Sequence, residues 1–185
     1  MPRINVVETT QVDSDTQSLF ARLAQKLGRT PNLVRTMAVS PAVLDAYLGF
    51  ARSMSRSSLS PQLREQIGLT VSELNSCQYC LAAHTEFGRS VGLADNEIAD
   101  SRKGLSPDQE TEAILQFARR IVTKRGRVSD ADLQSLRDAG AGEAEIAEIV
   151  AAVALNTFTN YFIHVAETEI DFPDVEPAET LACDC

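Results

Sequence analysis

Tryptophan is absent from this chain of 185 residues, and aromatic residues make up only 5% of it. Runs of Val, Thr and Tyr of the kind that build half-buried strands are scarce, whereas Ala, Leu and Ile are plentiful, which argues against a sandwich or barrel and for an all-α protein. With 44% hydrophobic residues the chain is long enough for one well-buried core and short for two.

Positive charge is also in short supply. Lys and Arg number 17 against 26 Asp and Glu, a formal charge of −9. Phosphate backbones and anionic lipid surfaces would be repelled rather than gathered, so neither nucleic acid nor a membrane is expected as a partner. The N-terminal "MPRINVVETTQVD" lacks the apolar core of a signal peptide and the Arg-rich, acid-poor character of a transit peptide, and a cytoplasmic location is expected. Ile146 to Ala166 is about as long as a membrane span, but Glu148, Asn156, Asn160 and His164 interrupt it, so it reads as a buried helix of a soluble protein.

Helix punctuation recurs along the chain. Asp13 or Ser14 is placed to cap a segment that Gly28 ends, Pro31 and Pro41 open two more, and Ser60-Pro61 begins a helix running to about Asn75. Asn75-Ser76 then ends one helix and caps the next. Ser106-Pro107 with Gln109, and Ser129, are further start signals. From Glu143 to about Thr168 runs a helix apolar nearly all round, the pattern of one enclosed in a bundle or at a subunit interface. Residues 1–39 read as a helical extension, 40–172 as the core of one domain, and 173–185, with Pro173 and Pro177, as an extended tail.

Cysteine is sparse, at four residues, and two of them stand together in "SCQYCLAAHTEFG". In a reducing compartment a pair such as Cys77 and Cys80 is not a structural disulfide framework. With Ser76 as the cap, Cys77 falls in the first helical turn, where the macrodipole favours a thiolate, and Cys80 and His84 are one turn apart on one face. A thiolate beside a base is an activated nucleophile, and a second thiol one turn away can resolve a sulfenic acid. Three readings stay open on spacing alone: a redox dithiol, a metal site lacking a fourth local ligand, and two small buried hydrophobes beside a core histidine.

The run "EQIGLTVSELNSCQYCLAAH", from Glu65 to His84, resembles the signature of the alkylhydroperoxidase D family in the carboxymuconolactone decarboxylase-like superfamily: a glutamate, eleven residues, then C-x-x-C-x-x-x-H. The flanking "NSCQYC" and "TEIDFP" are similar to its peroxidase-related subgroup. That resemblance implies an all-α helical bundle, assembled as trimers or hexamers, in which Cys80 attacks a hydroperoxide, Cys77 resolves it, and Glu65 and His84 relay protons. It implies no haem, flavin or metal, a small-molecule hydroperoxide as substrate, and a protein or dithiol reductant. The best-known members carry a histidine between the cysteines where this chain has Tyr79, which is expected to pack or to make one hydrogen bond. Two other functions compete: a non-enzymatic thiol-redox adaptor or sensor, and a muconolactone-type decarboxylase, whose chemistry has no obvious need of a dithiol. Phe158, Tyr161, Phe162 and His164 are candidate pocket residues better read as core, and Cys183 and Cys185 are read as having no function.

Overall fold

The computed structural model describes residues 1–175, and within them every regular element is helical. After a 3-10 turn at Thr9–Gln11 come α1 (Ser14–Leu27), α2 (Asn32–Met37), α3 (Pro41–Met54), α4 (Pro61–Leu74), α5 (Gln78–Ser90), α6 (Asp95–Lys103), α7 (Gln109–Thr123), α8 (Asp130–Asp138) and α9 (Glu143–Ala166). The expected all-α class is what forms. Cys183, Cys185 and Pro177 lie outside the described residues.

Most boundaries follow the capping chemistry. Asp13 accepts from the backbone N–H groups of Asp15 and Thr16, and Gly28 ends α1 at φ 73°, a left-handed conformation that glycine adopts without a Cβ clash. Ser60 accepts from Leu63 N–H with Pro61 in the first turn of α4, and Ser129 forms a reciprocal box with Asp132. Asp108, rather than Ser106, caps α7, because its carboxylate accepts from Thr111 N–H at 2.8 Å. The helix α6 was not anticipated, since its only strong signals are a Glu97 side chain folded back to the Ala94 N–H and a terminal Gly104.

The enclosed element is α4, not α9. Every residue from Gln66 to Ser72 is buried, and α5, α6, α7 and α9 all pack on it. Thr70 is pinned by donating its hydroxyl to the carbonyls of Gln66 and Ser101. By length and hydropathy alone α9 could cross a membrane, yet one face is buried in the bundle by Ile149, Val153, Asn156 and Asn160. Its other face carries Val150, Phe158, Tyr161 and Val165 exposed at helical spacing.

Two core clusters divide the work. One joins α4, α7 and α9 through Ile67, Val71, Leu115 and Ile149. The second joins the N-terminal helices to the start of α5 through Phe20, Met37, Cys77, Tyr79 and Phe172. The cysteines therefore sit where the N-terminal segment closes over the bundle.

Candidate functional site

The α4–α5 connection is one tight turn. Asn75 ends α4, Ser76 takes φ 54°, and Cys77 donates its N–H to the Ser72 carbonyl at 2.9 Å. A left-handed serine is uncommon and costs roughly 1–3 kcal/mol, held here by the packing of the two helices it joins. Because Ser76 is left-handed it cannot be the cap. That position passes to Cys77 (φ −89°, ψ 92°), and Cys80 moves into the first turn of α5, one place nearer the helix start than the sequence suggested.

Both thiols are free and buried, Cys77 fully and Cys80 with 3% of its surface exposed. They titrate as a pair. The Cys80 thiol donates toward Cys77 and, with the Cys80 N–H and the charge of His84, holds Cys77 below the ordinary thiol range against the cost of burial. Cys80 is pushed up by that same hydrogen bond, by burial and by the negative charge on Cys77, while Asn160 and Thr159 partly offset the rise. Of the two, Cys77 is the thiol favoured to ionise.

Glu65 reaches this site across the helix pair, its Oε2 lying 2.7 Å from His84 Nδ1. A carboxylate only accepts, so Nδ1 carries the proton. Asn156 of α9 stands against the ring as well; its amide nitrogen is committed to the Ala152 carbonyl at 2.9 Å, which leaves its oxygen for the imidazole. Burial would lower the His84 pKa, but Glu65 through hydrogen bond and charge, with Asn156 and Cys77 adding, raises it above 6.5. Spacing paired His84 with Cys80. The two do share the cavity wall, but the ring's partners are Glu65 and Asn156, and its charge acts on Cys77.

Gly68 makes that placement possible. A Cβ there would stand 2.5 Å from His84 Cε1 and 2.6 Å from Nδ1, so the imidazole occupies space that only glycine leaves. Gly68 follows Glu65 by one turn of α4, and this spacing was the available sequence signal. Asn156, Thr159 and Asn160 were also missed as site residues, although polar side chains at i, i+3 and i+4 in an otherwise apolar helix mark a buried polar strip. Asn160 accepts from Asn75 at 2.9 Å and donates to Ser72 at 3.3 Å, tying α9 to the dithiol turn.

Cys80 opens on a cavity of about 210 Å³. His84, Asn156 and Thr159 share its wall with Tyr47, Tyr79 and Phe87. Tyr47 is half-buried beside Cys80 and Glu65, and desolvation above all, with the Glu65 carboxylate adding, pushes its phenol up to about 12. Tyr79 packs as expected: its hydroxyl accepts from Leu33 N–H at 3.0 Å, and its ring meets Phe172 edge-on at 5.4 Å. Burial pushes its phenol far above the usual range, so it stays neutral. A second hollow of about 240 Å³ reaches Glu65 and His84 past Ser55 and Arg64.

The remaining candidates lie elsewhere. Phe158 and Tyr161 face outward rather than into the core, and Phe162 packs with the N-terminal cluster. His164 bonds the Asn75 carbonyl through Nε2 at 2.8 Å, bracing the turn. Among the described residues no group of three or more His, Cys, Asp or Glu is placed to hold a metal ion.

The geometry is that of an all-α bundle with a buried dithiol, a carboxylate–histidine contact and an apolar cavity. The model of the carboxymuconolactone decarboxylase family matches residues 41–124, the stretch from α3 through α7. The alkylhydroperoxidase D core of a peroxidase-related protein from Ralstonia eutropha superposes with TM-score 0.84 at 22% identity, covering 92% of each chain. A peroxidase-related protein from a Silicibacter species gives 0.81 at 23%, covering 90% of this chain and 92% of the other. The debrominase Bmp8, as a cysteine-to-alanine variant with 2,3,4-tribromopyrrole, gives 0.79 at 18%, covering 91% of each chain. No curated protein sequence matches. The chain therefore shares the fold of these proteins, and its stretch from α3 through α7 is similar to the carboxymuconolactone decarboxylase family.

Proposed function

We propose that the protein is a thiol peroxidase that reduces hydroperoxides through a Cys77–Cys80 disulfide cycle. The observation that carries this reading is a buried pair of free thiols in which Cys80 meets the cavity and Cys77 is the one favoured to ionise. A proton passing from the Cys80 thiol to Cys77 leaves a Cys80 thiolate on the cavity wall without moving net charge through the protein. That thiolate attacks the terminal oxygen of R–O–O–H. The O–O bond breaks, Cys80 becomes the sulfenic acid, and the departing alkoxide takes a proton from the His84 imidazolium to leave as alcohol. Cys77 then attacks the Cys80 sulfur; the S–O bond breaks, and hydroxide leaves with the Cys77 proton as water. A dithiol reductant, small or protein, supplies two electrons and two protons to reopen the disulfide; one proton stays on Cys80 and the other passes by way of Cys77 to His84, which restores the starting state. A cytoplasmic setting, where such reductants are abundant, suits the cycle.

Glu65 holds the imidazolium toward the thiols, and Asn156 fixes the far side of the ring. The exposed apolar stripe of α9 supports self-association as part of the same reading. The test mixes reduced protein with cumene hydroperoxide and hydrogen peroxide by stopped flow and counts thiols before and after. Loss of two thiols per chain with one equivalent of alcohol formed is expected; no thiol loss refutes the proposal.

The apolar, aromatic-lined cavity, together with the likeness to a debrominase, favours one second reading. A bromoarene taking two electrons and two protons from the dithiol, one proton to carbon and one to the departing bromide, would give the arene, the disulfide and hydrogen bromide. Bromide release from a bromopyrrole, with peroxides inert, would replace the first reading by this one.

A further inference from the structure

The reactive groups at the cavity come from α5 and α9, but a large part of its wall does not. Leu23 and Leu27 of α1, and Leu33 and Val34 of α2, line it and lie ahead of the family-matched stretch, while Phe172 lies after it. The residues that α1 and α2 contribute are all apolar. At about 210 Å³ the cavity is smaller than the roughly 300–1,000 Å³ typical of pockets for drug-sized ligands. A long acyl chain has no room in it. A compact branched or single-ring group does.

This part of the wall is fastened to the helix that carries the thiols. Arg29, two residues beyond Leu27, places Nη2 2.6 Å from both carboxylate oxygens of Glu86 on α5. Its guanidinium also lies 4.4 Å above the Phe172 ring. Phe172 in turn is wedged edge-on between Tyr79 at 5.4 Å and Phe87 at 5.5 Å, both of α5. Asp171 accepts from Asn32 N–H at 2.9 Å and so holds the start of α2. A wall clamped at Arg29 cannot swing aside for a larger guest without separating an ion pair, a cation–π contact and two ring contacts together.

We infer that Leu23 and Leu27, backed by the Arg29–Glu86–Phe172 clamp, determine specificity at the Cys80 cavity, admitting compact apolar hydroperoxides of branched alkyl or single-ring type and refusing long-chain lipid hydroperoxides. The inference rests on the peroxidase reading for the reacting group and on the cavity wall for the size limit. Substrate selection is thereby assigned to a segment that carries none of the chemistry.

The first arm of the test measures initial oxidation rates of reduced protein with cumene hydroperoxide, linoleic acid hydroperoxide and hydrogen peroxide. Cumene hydroperoxide should outpace the lipid at least tenfold. Leu27→Trp, which fills the cavity, should lower the ratio of cumene hydroperoxide to hydrogen peroxide rates at least tenfold, and the double variant Leu23→Ala/Leu27→Ala should raise the ratio of lipid to cumene rates by a similar factor. Ratios unchanged within twofold in variants whose circular dichroism is that of the parent overturn the assignment. The second arm needs no chemistry: 2-phenylpropan-2-ol, the alcohol formed from cumene hydroperoxide, is titrated into Cys80→Ser protein and followed by methyl NMR. Shifts at Leu23 and Leu27 are expected, and dodecanol should give none. If no peroxide reacts but these shifts appear, the peroxidase reading fails and the size limit stands; if peroxides react and the alcohol leaves both leucines unmoved, the inference fails and the peroxidase reading stands.

Discussion

Glu65 and His84, nineteen positions apart on separate helices, meet through Oε2 and Nδ1 at 2.7 Å, with Gly68 leaving the space for the ring. The contact favours the charged imidazole. Its folded-state pKa is raised above 6.5, so the stability it contributes is fully present below about pH 6.5 and is lost as pH rises through the raised value. In Glu65→Gln the His84 pKa should fall, by NMR titration, and the stability deficit against the parent should be largest near about pH 6 and shrink toward about pH 9. The first oxidation should slow at neutral pH and partly recover at higher pH, as the thiol pair ionises without the histidine's charge. A histidine titration unmoved in the variant would show that the carboxylate only packs.

The thiols should divide as access and charge do. Cys80→Ser removes the sulfur on the cavity wall and should abolish peroxide consumption. Cys77→Ser should react once, more slowly than the parent because the acceptor for the Cys80 proton is weakened, and stop as a sulfenic acid. Mass spectrometry after one equivalent of peroxide reads both; a sulfenic acid on Cys77 with turnover retained would reverse the assignment.

Gly68→Ala sets a methyl where the His84 ring now lies. The helix itself should gain slightly from alanine, so a folded variant is expected. Displacing the ring by about 1 Å should lower the oxidation rate about 100-fold. Helical content and rate measured on one sample check this, and a parent-like rate would show that the ring's position is not critical.

Tyr79→Phe keeps the ring contact with Phe172 but leaves the buried Leu33 N–H without its acceptor. A loss of about 1–3 kcal/mol in urea denaturation is expected. The chemistry at the thiols should be affected less than the stability.

Val150, Phe158, Tyr161 and Val165 form the exposed stripe of α9. If that stripe is covered by another copy, Tyr161→Asp with Val165→Asp should lower the mass seen by sedimentation while the helical content persists. An unchanged mass would remove α9 from the interface.

What could be read in advance depended on the range of the interactions. Caps at Asp13, Ser60 and Ser129 act within one turn and were legible as residue types. Cys80 and His84 share a helix face, so their proximity followed from 3.6 residues per turn. The Glu65–His84 contact depends on how α4 lies on α5, which no local period records; only the family pattern suggested it. The cap moved from Ser76 to Cys77 because joining two packed helices by so short a turn forces a left-handed residue, a tertiary demand overriding a local preference. Asn156 and Asn160 were visible as polar interruptions of an apolar helix, but what they faced was not.

The clamp at Phe172 also fixes an order of assembly. Both ends of the described chain converge on one region: Arg3 and Ile4 donate to the Ala166 carbonyl, and Asn32 meets Asp171, 139 positions later. A nascent chain can pair α4 with α5 as soon as both have emerged, because the two are adjacent. It cannot close the wall over Cys80 until residue 172 has left the ribosome. Until then the dithiol lies open on one side, so the finished chain alone separates a thiol that any passing oxidant could reach from one that meets only what fits.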